Sequence, residues 1–212
     1  MEDETLIPLV ECSDENLKDK NSVDVTALHE TGHLMAMYVM DQMDYFDYIS
    51  IIPCEHKNEV TGKIEIIKAI TAVAPEFVKK MEQHAEELRQ AGTPKSGAAI
   101  TGLMKKMKVE GAALYLPNIC RLFGGGAICR FYEVPDEDMC IIDYNHIDLL
   151  LSGLGIPGTR EAMRILVDMY LKDAFTSFDL LTKAIYKNLK AKGRLDKTQV
   201  MQIITEWEEF KW

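Results

Sequence analysis

Three observations predict a mainly helical α+β fold with one small sheet. Apolar residues recur at spacings of three and four, as in Val25, Leu28, Gly32, Met35, Ala36 and Val39. Only two short stretches, Tyr48–Pro53 and Thr61–Ile66, have the β-branched or alternating character of strands. Between the helical stretches, glycine and proline mark stops at 92–94, 153–158 and 193.

Each element follows in order. Residues 1–21 are polar and charged apart from an apolar patch at Leu6–Val10, and read as an N-terminal arm. A helix starts at Ser22, with Ser22 or Asp24 able to cap its first turn. The strand 48–53 is stopped by Pro53, and 61–66 is its expected antiparallel partner across the loop 54–61. Pro75 opens a charged helix, Glu76 to Gln90. Lys95–Glu110 is basic, glycine-spotted and weakly patterned, as a surface segment is. Ala112–Tyr132 is apolar, with expected interruptions at Pro117 and at Gly124-Gly125-Gly126. After an acidic loop at Asp136–Asp138, a helical run begins near Asn145. A long helical stretch then runs from Thr159 to Lys192, with a bend expected near Thr176–Ser177. Asp196 and Gln199 have capping-box spacing and start a last helix towards Trp212. The organisation expected is an arm (1–21), a core (22–155) and a C-terminal helical subdomain (156–212).

Composition narrows the function. The 212 residues carry 34 acidic and 24 basic side chains, a formal net charge of −10. No basic stripe is available to neutralise phosphates, so nucleic acid is not an expected partner. The longest apolar run, Leu34–Met40, spans seven residues, against the ~20 needed to cross a bilayer. Membrane insertion is therefore not expected. The start, Met-Glu-Asp-Glu-Thr, lacks the basic and apolar regions of a secretory signal. The five cysteines form no Cys-x-x-Cys pair. Together these features predict a cytoplasmic protein without a disulfide framework.

The chemistry concentrates in His29-Glu30-Thr31-Gly32-His33. Histidines four apart on a helix point within ~40° of each other, one turn along the axis, so both can reach one metal ion. Glu30 projects at another angle and is a candidate proton acceptor for a water held there. Two imidazoles, a carboxylate and a water suit Zn2+, which lowers the pKa of such a water towards ~7. From the residues alone the third ligand stays open. No third histidine follows His33 at the metzincin spacing, since Val39 stands there. Glu82 or Glu86 would complete a thermolysin-like set, and Asp143 and His146 are further candidates. His56 and His84 lie among polar residues and read as surface histidines. The glycine triplet lacks the lysine of a phosphate loop and reads as a place of close helix packing.

Ala27-Leu28-His29-Glu30-Thr31-Gly32-His33 followed by Ile49-Ser50-Ile51-Ile52-Pro53 resembles the peptidase domain of the FtsH family of ATP-dependent zinc proteases. Leu122-Phe123-Gly124-Gly125-Gly126-Ala127 resembles the family's glycine-rich helix opening, and His146-Ile147-Asp148-Leu149 its aspartate segment. The resemblance implies zinc held by His29, His33 and Asp148, with Glu30 as the catalytic acid–base. It also implies a C-terminal helical subdomain, an insertion at 75–110 and assembly as a homo-oligomer. Gly126-Ala127-Ile128-Cys129-Arg130 stands where the family has Arg-Ala-Ala-Glu after its paired glycines. Met139–Asp143 replaces the family's Thr-Thr-Gly-Ala. No phosphate-loop motif is present, so unfolding of substrates would fall to a separate ATPase partner. The function expected is a zinc-dependent endopeptidase acting on flexible or unfolded polypeptides, aligned along the strand 48–53 as an edge. The alternative is a catalytically silent binding or regulatory module of the same fold.

Overall fold

The spacing of apolar residues between Val25 and Val39 winds into α1 (Ser22–Val39), whose residues from Asp24 to Met37 are almost all buried. A helix buried on all sides belongs at the centre of a core. The computed structural model describes residues 22–57, 64–91, 112–134 and 140–210. The expected arm, the basic segment 95–110, the acidic loop 136–138 and the end at Trp212 lie outside the described residues. Asp24 is not a cap. It is buried, accepts a hydrogen bond from Tyr186 Oη at 3.1 Å and pairs with Lys190, tying the start of α1 to a C-terminal helix.

Five short strands follow the sequence as β1 (Phe46–Ser50), β2 (Cys54–Lys57), β3 (Ile64–Ile67), β4 (Ile70–Val73) and β5 (Arg194–Asp196). They form a three-stranded antiparallel sheet in the order β4-β1-β5 and a separate β2–β3 hairpin. The expected strand 48–53 is thus β1, but it is the central strand and not an edge. Its partner is not 61–66. Ile64 and Ile66 are 68% and 74% exposed, so the hairpin carrying them offers no core face, whereas Thr71 and Ala72 of β4 are buried. Burial of one face is what fixes strand register. On the other side of β1, Gly193 turns the chain into β5 with φ +75°. Its carbonyl accepts the Ile51 N–H at 2.8 Å, and a Cβ there would lie 2.9 Å from the Ile52 side chain. Only glycine meets both demands without strain.

The helices are α2 (Pro75–Ala91), α3 (Ala112–Phe131), α4 (Cys140–Gly153), α5 (Arg160–Ser177), α6 (Asp179–Lys192) and α7 (Lys197–Phe210). α3 runs unbroken through Pro117 and the glycine triplet, against the expected interruptions. The proline removes one backbone hydrogen bond in the second turn. The glycines serve a crossing: a Cβ on Gly32 would lie 2.3 Å from the Gly124 carbonyl oxygen, and one on Gly124 would lie 2.4 Å from that of Gly32. α1 and α3 therefore touch backbone to backbone. α4 already includes Cys140, five residues before the expected start near Asn145. The expected bend at 176–177 is a break at Phe178 between α5 and α6. The capping box forms in full, with the Gln199 N–H donating to Asp196 Oδ1 at 2.9 Å and the Asp196 N–H to Gln199 Oε1 at 3.0 Å.

One apolar cluster joins α1, β1 and α3 to Ile147 and Leu151 of α4, to α5 and α6, to Leu195 of β5 and to Trp207 of α7. Trp207 packs against the rings of Tyr38 and Phe178. The chain is thus mainly helical with a small antiparallel sheet. Among the described residues, no helix is long and apolar enough to cross a membrane.

Candidate metal centre

α1 presents His29 and His33 one turn apart, their rings edge to face with centroids 4.6 Å apart. Both are buried, and α4 brings the Asp143 carboxylate against them. Three ligand-type atoms converge. His29 Nε2 and His33 Nε2 are 3.0 Å apart, and Asp143 Oδ2 lies 3.1 Å from the first and 3.3 Å from the second. A tetrahedral ion with bonds of ~2.0–2.1 Å holds its ligand atoms ~3.3 Å apart. The donor set and its spacing therefore fit a divalent metal, and these residues form a candidate metal-binding triad.

No protein-family model and no curated protein matches this chain.

The surroundings favour the same reading of the triad. His33 Nδ1–H donates to the Arg121 carbonyl at 2.8 Å, which leaves the Nε2 lone pair facing the centre. Among the described residues His29 Nδ1 is buried without a hydrogen-bond partner. Gly125 of α3 closes one side of the centre: a Cβ there would lie 2.5 Å from His29 Nε2 and 2.7 Å from His33 Nε2. Any side chain at 125 would occupy the space where the nitrogens converge. Burial by itself would lower the His33 pKa, but the Asp143 charge and hydrogen bond, with Glu30 nearby, outweigh it and raise the value. Burial would raise the Asp143 pKa, yet the two histidines hold its carboxyl far below the usual carboxylate range. Asp143 is thus ionised at any pH at which the histidines are neutral enough to bind metal.

Glu30 stands apart from the ligand triad while sharing its buried setting. Its carboxylate accepts a hydrogen bond from Thr71 Oγ1 at 2.7 Å, and the same hydroxyl lies 3.1 Å from the Glu30 carbonyl. Thr71 belongs to β4, so the edge strand of the sheet fixes the orientation of Glu30.

Asp148 is not brought to the histidines. It is half-exposed and pairs with Arg160 at the start of α5. The physical reason is helical phase: positions five apart on one helix differ by ~140° around its axis. Asp143 shares the inward face with Cys140, Ile147 and Leu151, all buried, and Asp148 does not. Glu82, Glu86 and His146 are exposed and lie outside the triad. The side chain of His56 lies outside the described residues. His84, read as a surface residue, is buried and bonded through Nδ1 to Tyr115 Oη at 3.0 Å. A single polar position on α2 that packs against α3 accounts for it.

Thr71 and Arg121 were not singled out by the sequence, whereas Gly125 was, as part of a triplet expected at a close helix packing. A signal existed for both. Arg121 is one of only two charged residues in the apolar stretch 112–132, and Thr71 is the polar member of Ile70-Thr71-Ala72-Val73.

Proposed function

We propose that the chain is a zinc-dependent endopeptidase that hydrolyses flexible or unfolded polypeptides, of the kind represented by the FtsH peptidase domain. The observation that carries this reading is the convergence of His29, His33 and Asp143 beside a Glu30 that is kept out of the ligand set by Thr71. Zinc, when bound, supplies Lewis acidity that makes water nucleophilic near neutral pH. The chain's own residues do the rest. Arg121 fixes the His33 tautomer through its backbone carbonyl. Thr71 orients Glu30, which accepts a proton from the attacking water and returns it to the departing amine. β4 has β1 on one side only, so its outer edge can align an extended chain by main-chain hydrogen bonds. This edge takes the role that the sequence had suggested for 48–53. On this reading folded substrates need a separate unfolding ATPase, whereas loose chains do not.

The test combines metal content with hydrolysis of unfolded casein. Glu30→Gln should lower the rate by about 10²–10⁴-fold while metal stays near one ion per chain. Asp143→Asn should lose the metal, and Asp148→Asn should keep both metal and activity, because its partnership with Arg160 is a surface ion pair. Undiminished hydrolysis by the Glu30 variant, or metal loss in the Asp148 variant alone, would reject the assignment. Metal-loaded wild-type protein that leaves casein intact would point instead to the silent binding module.

A further inference from the structure

Arg121 carries more than its backbone carbonyl to the site. α3 places its side chain against the outer edge of β4, where Nη1 lies 3.4 Å from the Thr71 carbonyl. This is the same Thr71 whose hydroxyl holds Glu30. Nε–H donates to Asn118 Oδ1 at 2.9 Å, which steadies the guanidinium from the α3 side. Arg130, Arg160 and Arg164 are each paired with a carboxylate. Arg121 is not: among the described residues no carboxylate lies within ion-pair distance of it. The carboxylates whose charge it feels are those of Asp143 and Glu30, and both are engaged elsewhere, by the histidines and by Thr71. A partly buried guanidinium without its own counter-ion, bonded only to two neutral acceptors, has replaced its lost hydration in part. Its two-pronged donor face matches a carboxylate.

We infer that Arg121 is a specificity-determining residue that takes a carboxylate of the substrate chain beside the bond to be cut. The inference rests on the peptidase reading above and names the substrate class for it. A chain lying along β4 would bring its groups next to scissile position within reach of this guanidinium. The carboxylate could come from an acidic side chain or from the substrate's own C-terminus. The attraction must be local, because the protein's net charge of −10 disfavours acidic chains at long range.

The experiment uses the full-length zinc-loaded protein and internally quenched peptides that differ only in Glu or Gln beside the cleaved bond, and in a free or amidated C-terminus. In parallel, hydrolysis-resistant phosphinic peptides of the same four kinds are titrated by fluorescence anisotropy. The carboxylate form of one pair should be favoured about tenfold in kcat/KM and in Kd. The pair that shows the preference identifies the source. R121Q should bring that ratio to about one and R121E should invert it in favour of the uncharged form, whatever the absolute rates. R121K keeps the charge without the fork and should retain a reduced preference. A residue that merely braces α3 against β4 would change rates but not the ratio. A wild-type ratio of one with peptides cleaved, or an unchanged ratio in R121Q, overturns the inference and leaves the peptidase reading intact. Peptides neither cleaved nor bound would overturn both.

Discussion

Cys120 precedes Arg121 on α3 with its side chain turned into the core, and burial pushes its thiol up to about 12. An unfolded chain releases that proton near pH ~8.5. Between these values the folded state holds a proton the unfolded state has lost, so folding stability falls as pH climbs above ~8.5. Treatment with iodoacetamide at pH 9 should therefore spare Cys120 and modify the exposed Cys54, with Cys120 labelled only after denaturant is added. Peptide mass mapping reads this directly, and equal labelling of the two in native buffer would contradict it. Residues of the metal centre were legible to different degrees for a similar reason of environment. His29, Glu30 and His33 are readable because their chemistry depends on spacing within a single helix. The third ligand comes from 110 positions beyond His33 on another helix, and only its inward phase with Cys140, Ile147 and Leu151 marks Asp143 over Asp148. Thr71 is harder still, since a threonine acquires its role from whichever carboxylate the fold sets against it.

At the scale of elements, the crossing of α1 and α3 is set by two glycines. A methyl group on Gly32 would meet both the Gly124 carbonyl at 2.3 Å and the Ile128 side chain at 2.4 Å. The backbone atom cannot rotate away, so the helices must part. Gly32→Ala should destabilise the protein by about 3 kcal/mol and also weaken metal binding, because α1 carries both histidines. Denaturant midpoints and zinc titration together check this; a stabilised variant with unchanged affinity would refute the close crossing. The helices themselves were visible in the sequence, since periodicity is a local property. Their continuity through Pro117 and the glycine triplet was not, because those residues signal breaks unless a neighbour needs the narrow surface they leave. Strand pairing was the least legible feature. Ile64 and Ile66 alternate as a half-buried strand would, yet they face outward. β1 instead recruits β4 and, from the far end of the chain, β5.

Among the described residues the C-terminal helices contribute to the apolar cluster as fully as α1 does. α6 packs on α1 through the buried Asp24 contacts, and Trp207 of α7 lies against Tyr38 of α1. The regions before and after residue 156 should consequently unfold together. Equilibrium denaturation of a Trp212→Phe variant followed by tryptophan fluorescence, which then reports on Trp207, and by far-ultraviolet circular dichroism should give coincident midpoints. Separate midpoints would mean that the C-terminal helices melt independently of the metal centre. The position of β5 has a further consequence for the birth of the protein. A ribosome delivers the two histidines early, their carboxylate partner well past the midpoint of the remaining chain, and the strand Arg194–Asp196 that completes the sheet only near the end. Until then the apolar surface of α1 has no complete covering, and contacts of such long sequence separation form slowly. The nascent polypeptide therefore passes through a stage in which it carries both histidines of the candidate triad but not the assembled cluster, and in which a chaperone is the fitting companion for α1.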